Sequence, residues 1–454
     1  MKKISILGGG ESGVGAALLA KAKGLEVFLS DKSLLDAKYK ALLESHQITF
    51  EEGKHTEQRI LAADEVVKSP GIPDHIPLIQ QIIQQQIPII SEIEFAARYT
   101  KAPLIAITGT NGKTTTTLLI HHLLKTAGFS VGIAGNIGES FAKQVINDPY
   151  DYWVLEVSSF QLDHCYQFKP YIALLLNITP DHLDRYDYQM EQYAKAKWRI
   201  TQQQTATDYL LYNAEDARIK EVLQAQPTQA KDLPIATTPI ATDKLAAFLQ
   251  EEHLQVSEAG KLLAEIPTAA ITLQGKHNLF NSLCALAVGY LLRVPTTTIK
   301  TALATFQGAP HRLQKVAELA DISFVNDSKA TNVEAVYYAL EYYAQQATPL
   351  IWIVGGVDKG NDYKVLEPYV FKNVKKIIAL GKENEKVKRH FGTKIPVWET
   401  QDMIQAVQKA YTWAEAGETV LLSPACASFD LFKNYEDRGN QFITAVQQLT
   451  AKKK

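Results

Sequence analysis

Leu104-Ile105-Ala106-Ile107-Thr108-Gly109-Thr110-Asn111-Gly112-Lys113-Thr114-Thr115 is the stretch that decides the fold. Leu104 to Thr108 reads as a buried strand, Gly109 to Thr114 as a glycine-bearing loop, and Thr115 to Lys125 as a helix. A short apolar run closed by glycine and followed by a helix is the repeating unit of an α/β sheet. Gly112-Lys113-Thr114 is also the end of a phosphate-binding loop. In such a loop backbone amides surround phosphate oxygens, the lysine meets the β- and γ-groups, and the threonine hydroxyl reaches Mg²⁺. The first glycine of that pattern falls at Ile107, so the loop is a variant. A purely structural turn and an ATP site both remain open. Strand context and the Gly-Lys-Thr ending favour ATP, with Gly109, Thr110, Asn111, Gly112, Lys113, Thr114 and Thr115 as its contacts.

Towards the N-terminus the same alternation recurs. Ile4 to Leu7 is a strand, Gly8 to Gly15 a turn leading into an Ala/Leu-rich helix, and Glu26 to Asp31 a second strand. Gly8, Gly10 and Gly13 are spaced G-x-G-x-x-G, with Asp31 about 20 residues on, as in a dinucleotide fingerprint. Alone, that turn is either a nucleotide-diphosphate site or a tight βα connection that binds nothing. Beyond Gly308, strands are expected at Ile322–Asn326, Leu350–Val354, Lys376–Leu380 and Thr419–Ser423, with helices between.

At roughly 150 residues per domain, 454 residues imply about three domains. The expected layout is a Rossmann-like domain over 1–98, a central P-loop ATPase-type mononucleotide-binding domain over 99–308, and a Rossmann-like domain over 309–454. Polar stretches at Gln202–Asp208 and Gln224–Asp232 read as surface.

Composition narrows the class. Hydrophobic residues at 46% and charged residues at 21% describe a globular chain, not a disordered one. With 47 basic and 49 acidic side chains the net charge is −2, which supplies no overall field for nucleic acid or an anionic membrane. Anionic ligands must therefore be held by local groups. Three cysteines cannot build a dense disulfide framework and suit a reducing cytoplasm. The start reads as strand, turn and helix in preference to a signal peptide. No run approaches about 18 uninterrupted apolar residues, so no membrane span is expected.

In open α/β sheets ligands bind beyond the carboxyl ends of the strands. In the second segment those ends carry Gly135-Asn136-Ile137-Gly138, Glu156-Val157-Ser158-Ser159-Phe160-Gln161-Leu162, and Asn177-Ile178-Thr179-Pro180-Asp181-His182-Leu183-Asp184-Arg185-Tyr186. Glu156 is either a hard-metal ligand or a solvated strand end. His182 either supports a metal or phosphate site or is a bystander, and Asp181 and Asp184 either bind or cap a helix. Lys195-Ala196-Lys197-Trp198-Arg199 reads as a solvated helix face, which by itself does not single out Lys197.

Taken in order, TGTNGKT, GNIG, LEVSSFQLD, NITPDHLDRY, YAKAKWRI, GKHNLFN, APHR, NDSKATN, GGVDKG and SPACASFDLFKNYEDRG resemble the Mur ligase family, ATP-dependent amide-bond-forming enzymes of peptidoglycan synthesis. The resemblance spans nearly the whole chain, and the order of the motifs is more specific than any one of them. Within the family, EVSSFQL, NDSKATN and SPACAS-FDLFKNYEDRG are similar to the branch that adds D-glutamate to UDP-N-acetylmuramoyl-L-alanine. The D-N-P-R motif typical of the branch that adds a diamino acid is absent.

The resemblance implies that the first glycine turn holds UDP and not a nicotinamide dinucleotide. It implies contacts to the UDP substrate from Glu11, Ser12, Asp31, Lys32, Gly71, Asn136, Ser158 and His182. It implies ATP contacts from Asn278, Arg312 and Asp327, besides the loop. It implies a D-glutamate site from Lys329, Thr331, Lys359, Ser428, Phe429 and Tyr435. Two Mg²⁺ sites are implied, with Thr114 at the first and Glu156, His182 and a carbamylated Lys197 around the second. Lys113, Glu156, His182 and Lys197 are the implied catalytic group, acting through an acyl phosphate after the domains close. His311 is left to order the hinge and Cys426 to pack. A cytoplasmic monomer is the accompanying expectation.

Three alternatives stand beside this reading. One is another Mur ligase or a folylpolyglutamate-synthase-like ligase, discriminated by SPACASFDLF. Another is a non-catalytic nucleotide-sugar binder, opposed by Lys113, Glu156, His182 and Lys197. The third is a nicotinamide-dependent enzyme built on the first glycine turn.

Overall fold

The computed structural model describes residues 2–181, 183–273, 275–308, 310–358 and 360–451. It divides into two compact units, Met1–Gln307 and Gly308–Lys454. Among the described residues the strands form three sheets, and the fold is α/β as expected.

The first sheet contains β1 (Lys3–Leu7), β2 (Glu26–Ser30), β3 (Thr49–Glu51), β4 (Glu65–Lys68) and β5 (Ile89–Ile90). Their order is β3-β2-β1-β4-β5, all parallel. Successive strands are added on one side of β1 up to β3 and on its other side from β4, so the strand order switches between β1 and β4, which puts the ligand crevice at the carboxyl ends of that pair. Gly8 adopts φ 99° there, and the helix begins at Glu11, so the turn is shorter than the expected Gly8–Gly15. Gly13 tolerates no side chain, because a Cβ would lie 1.8 Å from Gly8 O.

The second sheet contains β6 (Leu104–Thr108), β7 (Val131–Gly135), β8 (Tyr152–Glu156), β9 (Ile172–Leu175), β10 (Tyr209–Asn213), β11 (Lys231–Ala236), β12 (Ala246–Gln250), β13 (His253–Glu258) and β14 (Lys261–Pro267). The order is β14-β13-β12-β11-β10-β9-β6-β8-β7. Strands β7 to β12 run parallel with β6, whereas β12, β13 and β14 form an antiparallel meander at one edge. β6 is buried throughout, as its unbroken apolar run predicts for a parallel central strand.

One apolar cluster joins these two sheets. It runs from Ile4 and Ile6 through Leu19, Phe95 and Phe141 to Trp153 and Leu155. The helices Glu11–Ala22, Glu92–Ala97 and Phe141–Val145 supply the contact. Gly15 allows the close approach, since a Cβ would stand 1.9 Å from Ser140 Oγ. The far face of the second sheet packs against Leu119, Leu123, Leu283 and Leu286 in a separate cluster.

The Gly308–Lys454 unit contains β15 (Gln314–Leu319), β16 (Ile322–Asn326), β17 (Leu350–Val354), β18 (Val374–Leu380), β19 (Val397–Thr400) and β20 (Thr419–Leu422), ordered β15-β16-β20-β17-β18-β19. Only β15 pairs antiparallel. Helices cover both faces, with Trp352 buried on one and Phe324 and Phe442 on the other.

Two surface expectations change. In Gln202–Asp208, Gln204 and Asp208 are buried. The Gln204 amide donates to Pro170 O and Tyr209 O, and Asp208 accepts from Thr205, so these polar groups close a loop under β10. Gln224–Asp232 is mostly exposed, but Lys231 and Asp232 open β11.

Candidate functional site

In the second sheet β6 lies between β8 and β9, and the loop Gly109–Gly112 leaves its carboxyl end. Gly109 (φ 151°) and Gly112 (φ 83°) take backbone conformations that L side chains rarely adopt. The helix Lys113–Thr126 starts two residues before the expected Thr115, so Lys113 and Thr114 belong to its first turn. Helix amides and the positive end of the helix dipole therefore face the loop, the arrangement that suits phosphate.

Neighbouring strand ends complete the site. Thr114 donates its hydroxyl to Glu156 Oε2 at 2.6 Å, and Asn136 Nδ2 donates to Glu156 Oε1 at 2.9 Å. Glu156 is 1% exposed, which excludes the solvated-strand-end alternative. Thr114 Oγ1 and Glu156 Oε2 are hard oxygen donors side by side, a donor set that fits Mg²⁺. Among the described residues no three His, Cys, Asp or Glu side chains converge as a metal cluster.

Lys113 folds back over its own loop, donating to Gly109 O and Thr110 O at 2.8 Å each. Lys197, on the helix Met190–Trp198, donates to the same Gly109 O at 2.9 Å and lies over the Tyr193 ring. It is 2% exposed, which corrects the solvated-helix-face reading of Lys195–Arg199. Burial, and secondarily the Lys113 charge, hold its amine well below the ordinary lysine range. His182 lies outside the described residues.

Three residues not singled out from sequence hold this site. Asn177 Oδ1 accepts from the amides of Thr110 and Asn111 at 3.0 and 2.8 Å, while its Nδ2 donates to Asn111 O. Tyr193 OH lies 3.2 Å from Thr110 Oγ1. Asn281 Oδ1 accepts from Thr116 Oγ1, and Asn281 Nδ2 approaches Asn278 Oδ1 at 3.4 Å. Asn278 itself sits in the first turn of the helix Lys276–Leu291. The signal for Asn177 was its place directly after a strand beside the loop.

In the first sheet, Asp31 accepts from the amides of Gly9 at 2.6 Å and Ser33 at 2.7 Å. Glu11 accepts from Tyr39 OH and from Ser140 N, so its carboxylate spans the first and second sheets. Ser12 lies in the first helical turn, and Lys32 and Gly71 are exposed. Ser158 caps the short helix Ser159–Leu162 in a reciprocal box with Gln161.

In the Gly308–Lys454 unit, Asp327 directly follows β16 beside β20, where Ser423 donates to it at 2.7 Å. Burial pushes its carboxyl up to about 6. Arg312 shares this neighbourhood, lowering the Asp327 carboxyl electrostatically. Lys329 donates to Tyr435 OH at 3.1 Å. Ser428 is buried, Thr331 is half-buried, and the Phe429 ring is exposed. Lys359 lies outside the described residues. His311 is buried against Asn326, and Cys426 is packed at 2% exposure with its thiol pushed up by burial. Arg438, also not singled out, is buried and binds Ser328 Oγ and O and Cys426 O.

Comparison with known proteins places these features. Residues 3–76 match the MurD N-terminal domain, residues 107–289 the Mur ligase middle domain, and residues 311–426 the Mur ligase glutamate ligase domain. The chain is 49% identical to the UDP-N-acetylmuramoylalanine–D-glutamate ligase of Christiangramia forsetii, over 99% of this chain and 100% of that one. It is 51% identical to the ligase of the same name from Bacteroides fragilis, with the same coverage. Among solved structures, the UDP-N-acetylmuramate–alanine ligase of Thermotoga maritima aligns with TM-score 0.63 at 18% identity, covering 99% of this chain and 100% of that one. The MurF ligase of Thermotoga maritima, solved in complex with ADP, aligns with TM-score 0.62 at 15% identity, covering 95% and 97%. The chain belongs to the Mur ligase family.

Proposed function

We propose that this chain is an ATP-dependent ligase that joins D-glutamate to UDP-N-acetylmuramoyl-L-alanine. The observation that carries the reading is end-to-end identity of about half with two D-glutamate ligases, around a phosphate loop whose Thr114 pairs with Glu156. The assigned domains are 1–98 for the UDP substrate, 99–308 for ATP and 309–454 for D-glutamate.

The L-alanyl carboxylate oxygen attacks the γ-phosphorus of ATP, and the bond to the β-phosphate oxygen breaks to release ADP. The D-glutamate amine then attacks the acyl phosphate carbonyl, loses a proton and expels phosphate. A free carboxylate lacks a good leaving group, and phosphorylation supplies one.

In the first step the protein's work is alignment and charge stabilisation. Lys113 swings from Gly109 O and Thr110 O to the transferring phosphoryl group. The amides of Gly109 to Thr115 cradle the remaining phosphates, with Asn278, Arg312 and Asp327 serving ATP. Thr114 would help hold the first Mg²⁺, and Glu156, His182 and a carbamylated Lys197 the second, where the metal would supply positive charge to the phosphates. Carbamylation replaces a buried cation with an anion, which turns Lys197 into an oxygen donor.

Glu11, Ser12, Asp31, Lys32, Gly71, Asn136, Ser158 and His182 are assigned to the UDP substrate. Lys329, Thr331, Lys359, Ser428, Phe429 and Tyr435 are assigned to D-glutamate. The two carboxylates of that amino acid call for cationic and hydroxyl donors. The chain works as a cytoplasmic monomer without nucleic acid or membrane partners; no helix among the described residues is long and apolar enough to cross a membrane.

The test is phosphate release from ATP–Mg²⁺ and UDP-N-acetylmuramoyl-L-alanine with D-glutamate set against L-glutamate, L-alanine, L-lysine and meso-diaminopimelate. Release that depends on D-glutamate is expected. Dependence on another amino acid overturns the substrate assignment.

A further inference from the structure

Where β1 and β4 diverge, two turns flank the crevice: Gly8–Gly10 after β1 and Ser69–Ile72 after β4. They touch, since a Cβ on Gly8 would lie 2.3 Å from Ser69 Oγ. The position of the second turn thus sets the width of the crevice proposed for the UDP end of the substrate.

The carbonyls of that second turn are gathered by cations. Lys68 Nζ donates to Ile72 O at 2.6 Å. Arg185 reaches Pro70 O at 3.3 Å and Gly71 O at 3.4 Å. Lys68 is itself 2% exposed, and a buried ammonium needs a counter-charge. Asp74 supplies it at 2.9 Å. Asp74 is half exposed, so burial does not fix its place; a second partner does. His164 Nε2 stands 3.1 Å from each Asp74 carboxylate oxygen.

His164 is on firm ground. Its carbonyl accepts from Ser91 N at 2.9 Å. Just beyond it, the amides of Tyr166, Gln167 and Phe168 all donate to the buried Glu94 carboxylate at 3.1, 3.0 and 2.8 Å. The segment also follows the short helix capped by Ser158, another residue assigned to the substrate. The network therefore runs from a rigid anchor at His164, through Asp74 and Lys68, to the backbone of the crevice turn.

We infer that Lys68, Asp74 and His164 are positioning residues that clamp the Ser69–Ile72 turn in the shape that receives the UDP end of the substrate. This rests on the functional reading above. None of the three touches the reacting atoms, so their effect falls on substrate capture and not on phosphoryl transfer. In keeping with this geometry, burial would raise the Asp74 carboxyl, but the hydrogen bonds with His164 and Lys68 outweigh it and hold the group well below the usual carboxylate range, while burial lowers Lys68.

The experiment is steady-state kinetics of the wild type, Asp74→Ala, Asp74→Glu, His164→Ala, Lys68→Met and the Asp74→Ala/His164→Ala double variant. UDP-N-acetylmuramoyl-L-alanine and ATP are each titrated with the other substrates saturating, and melting temperatures are recorded alongside. Asp74→Ala and Lys68→Met should raise KM for the UDP substrate about tenfold, the scale of one lost charge-assisted contact. Their kcat and KM for ATP should stay unchanged, and Asp74→Glu should recover much of the loss. The double variant should lose less than the product of its single variants, because Asp74 and His164 share one contact. If Asp74→Ala does not fold, Lys68→Met, which places an apolar chain in the buried slot, gives the same readout. An unaltered KM for the UDP substrate overturns the clamp, and so does a parallel change in kcat and in KM for ATP. A wild type that turns over no UDP-N-acetylmuramoyl-L-alanine counts against the functional reading, and the clamp falls with it.

Discussion

The Thr114 hydroxyl donates to Glu156 Oε2 across 2.6 Å, tying the first turn of the helix after the phosphate loop to the end of the neighbouring strand. Forty-two residues of sequence separate the two, and the pairing of β6 with β8 brings them together. Glu156 is also held by Asn136, so its carboxylate is preoriented from both sides. Glu156→Gln keeps the size and the Thr114 contact but removes the charge. It is expected to lower kcat by about a hundredfold or more, the scale for losing one preorganised electrostatic partner, with a melting temperature close to wild type. Full turnover by that variant would remove Glu156 from the catalytic group.

Lys113→Ala should abolish ATP-dependent phosphate release, by about a thousandfold, while leaving the fold intact. The lysine donates to two carbonyls of its own loop. Near-normal turnover would sink the ATP-site assignment.

Lys197→Ala should be nearly inactive and partly restored by millimolar short carboxylic acids, which fit the space of a carbamate. Activity measured with and without acetate or formate checks this. Full activity without added acid contradicts the role.

Asn177→Ala removes the acceptor for two loop amides and the donor to Asn111 O. The loop should lose its preformed shape, and KM for ATP should rise about tenfold, as expected when hydrogen bonds worth about 1.4 kcal/mol are lost. KM for D-glutamate measured in the same preparation should not move.

Glu92 is buried and accepts from Ser140 Oγ and Ala142 N. Burial, reinforced by the charge of Glu11, pushes its carboxyl up to about 6 from an ordinary 4.5. The folded protein therefore binds this proton more tightly than the unfolded chain. The stability it contributes is fully present below pH 4.5 and is lost as pH rises through 6. Glu92→Gln cannot ionise. Relative to wild type it should gain on going from pH 4.5 to pH 8, by about 2 kcal/mol for a shift of this size. Unfolding curves at both values test it; a difference that does not grow with pH would show that folding does not raise the Glu92 carboxyl.

Much of the site was legible in sequence because phosphate chemistry constrains the backbone. Gly109 and Gly112 had to be glycines for their positive φ, and Lys113-Thr114 had to follow directly. Glu156 was visible as an acid at a strand end. Lys197 was not, because Lys195 and Lys197 sit on one short helix with the same composition around them, and only Lys197 turns inward to Gly109 O. The buried Gln204 and Asp208 were hidden for the same reason: a polar residue reads as surface until a partner is in reach. The antiparallel meander of β12 to β14 was also missed, since its short half-buried strands lack the apolar run that marked β6.

By itself, the sequence determined the α/β class, the phosphate loop and the family, because each depends on local backbone rules or on motifs kept in order. Tertiary structure alone decided which charges are buried and with whom. It paired Thr114 with Glu156, set Lys113 and Lys197 on one carbonyl, and strung Lys68, Asp74 and His164 between the first and second sheets. The physical reason is that the energy of a charge depends on its solvation and on neighbours brought in from far along the chain, and neither is a property of the local sequence.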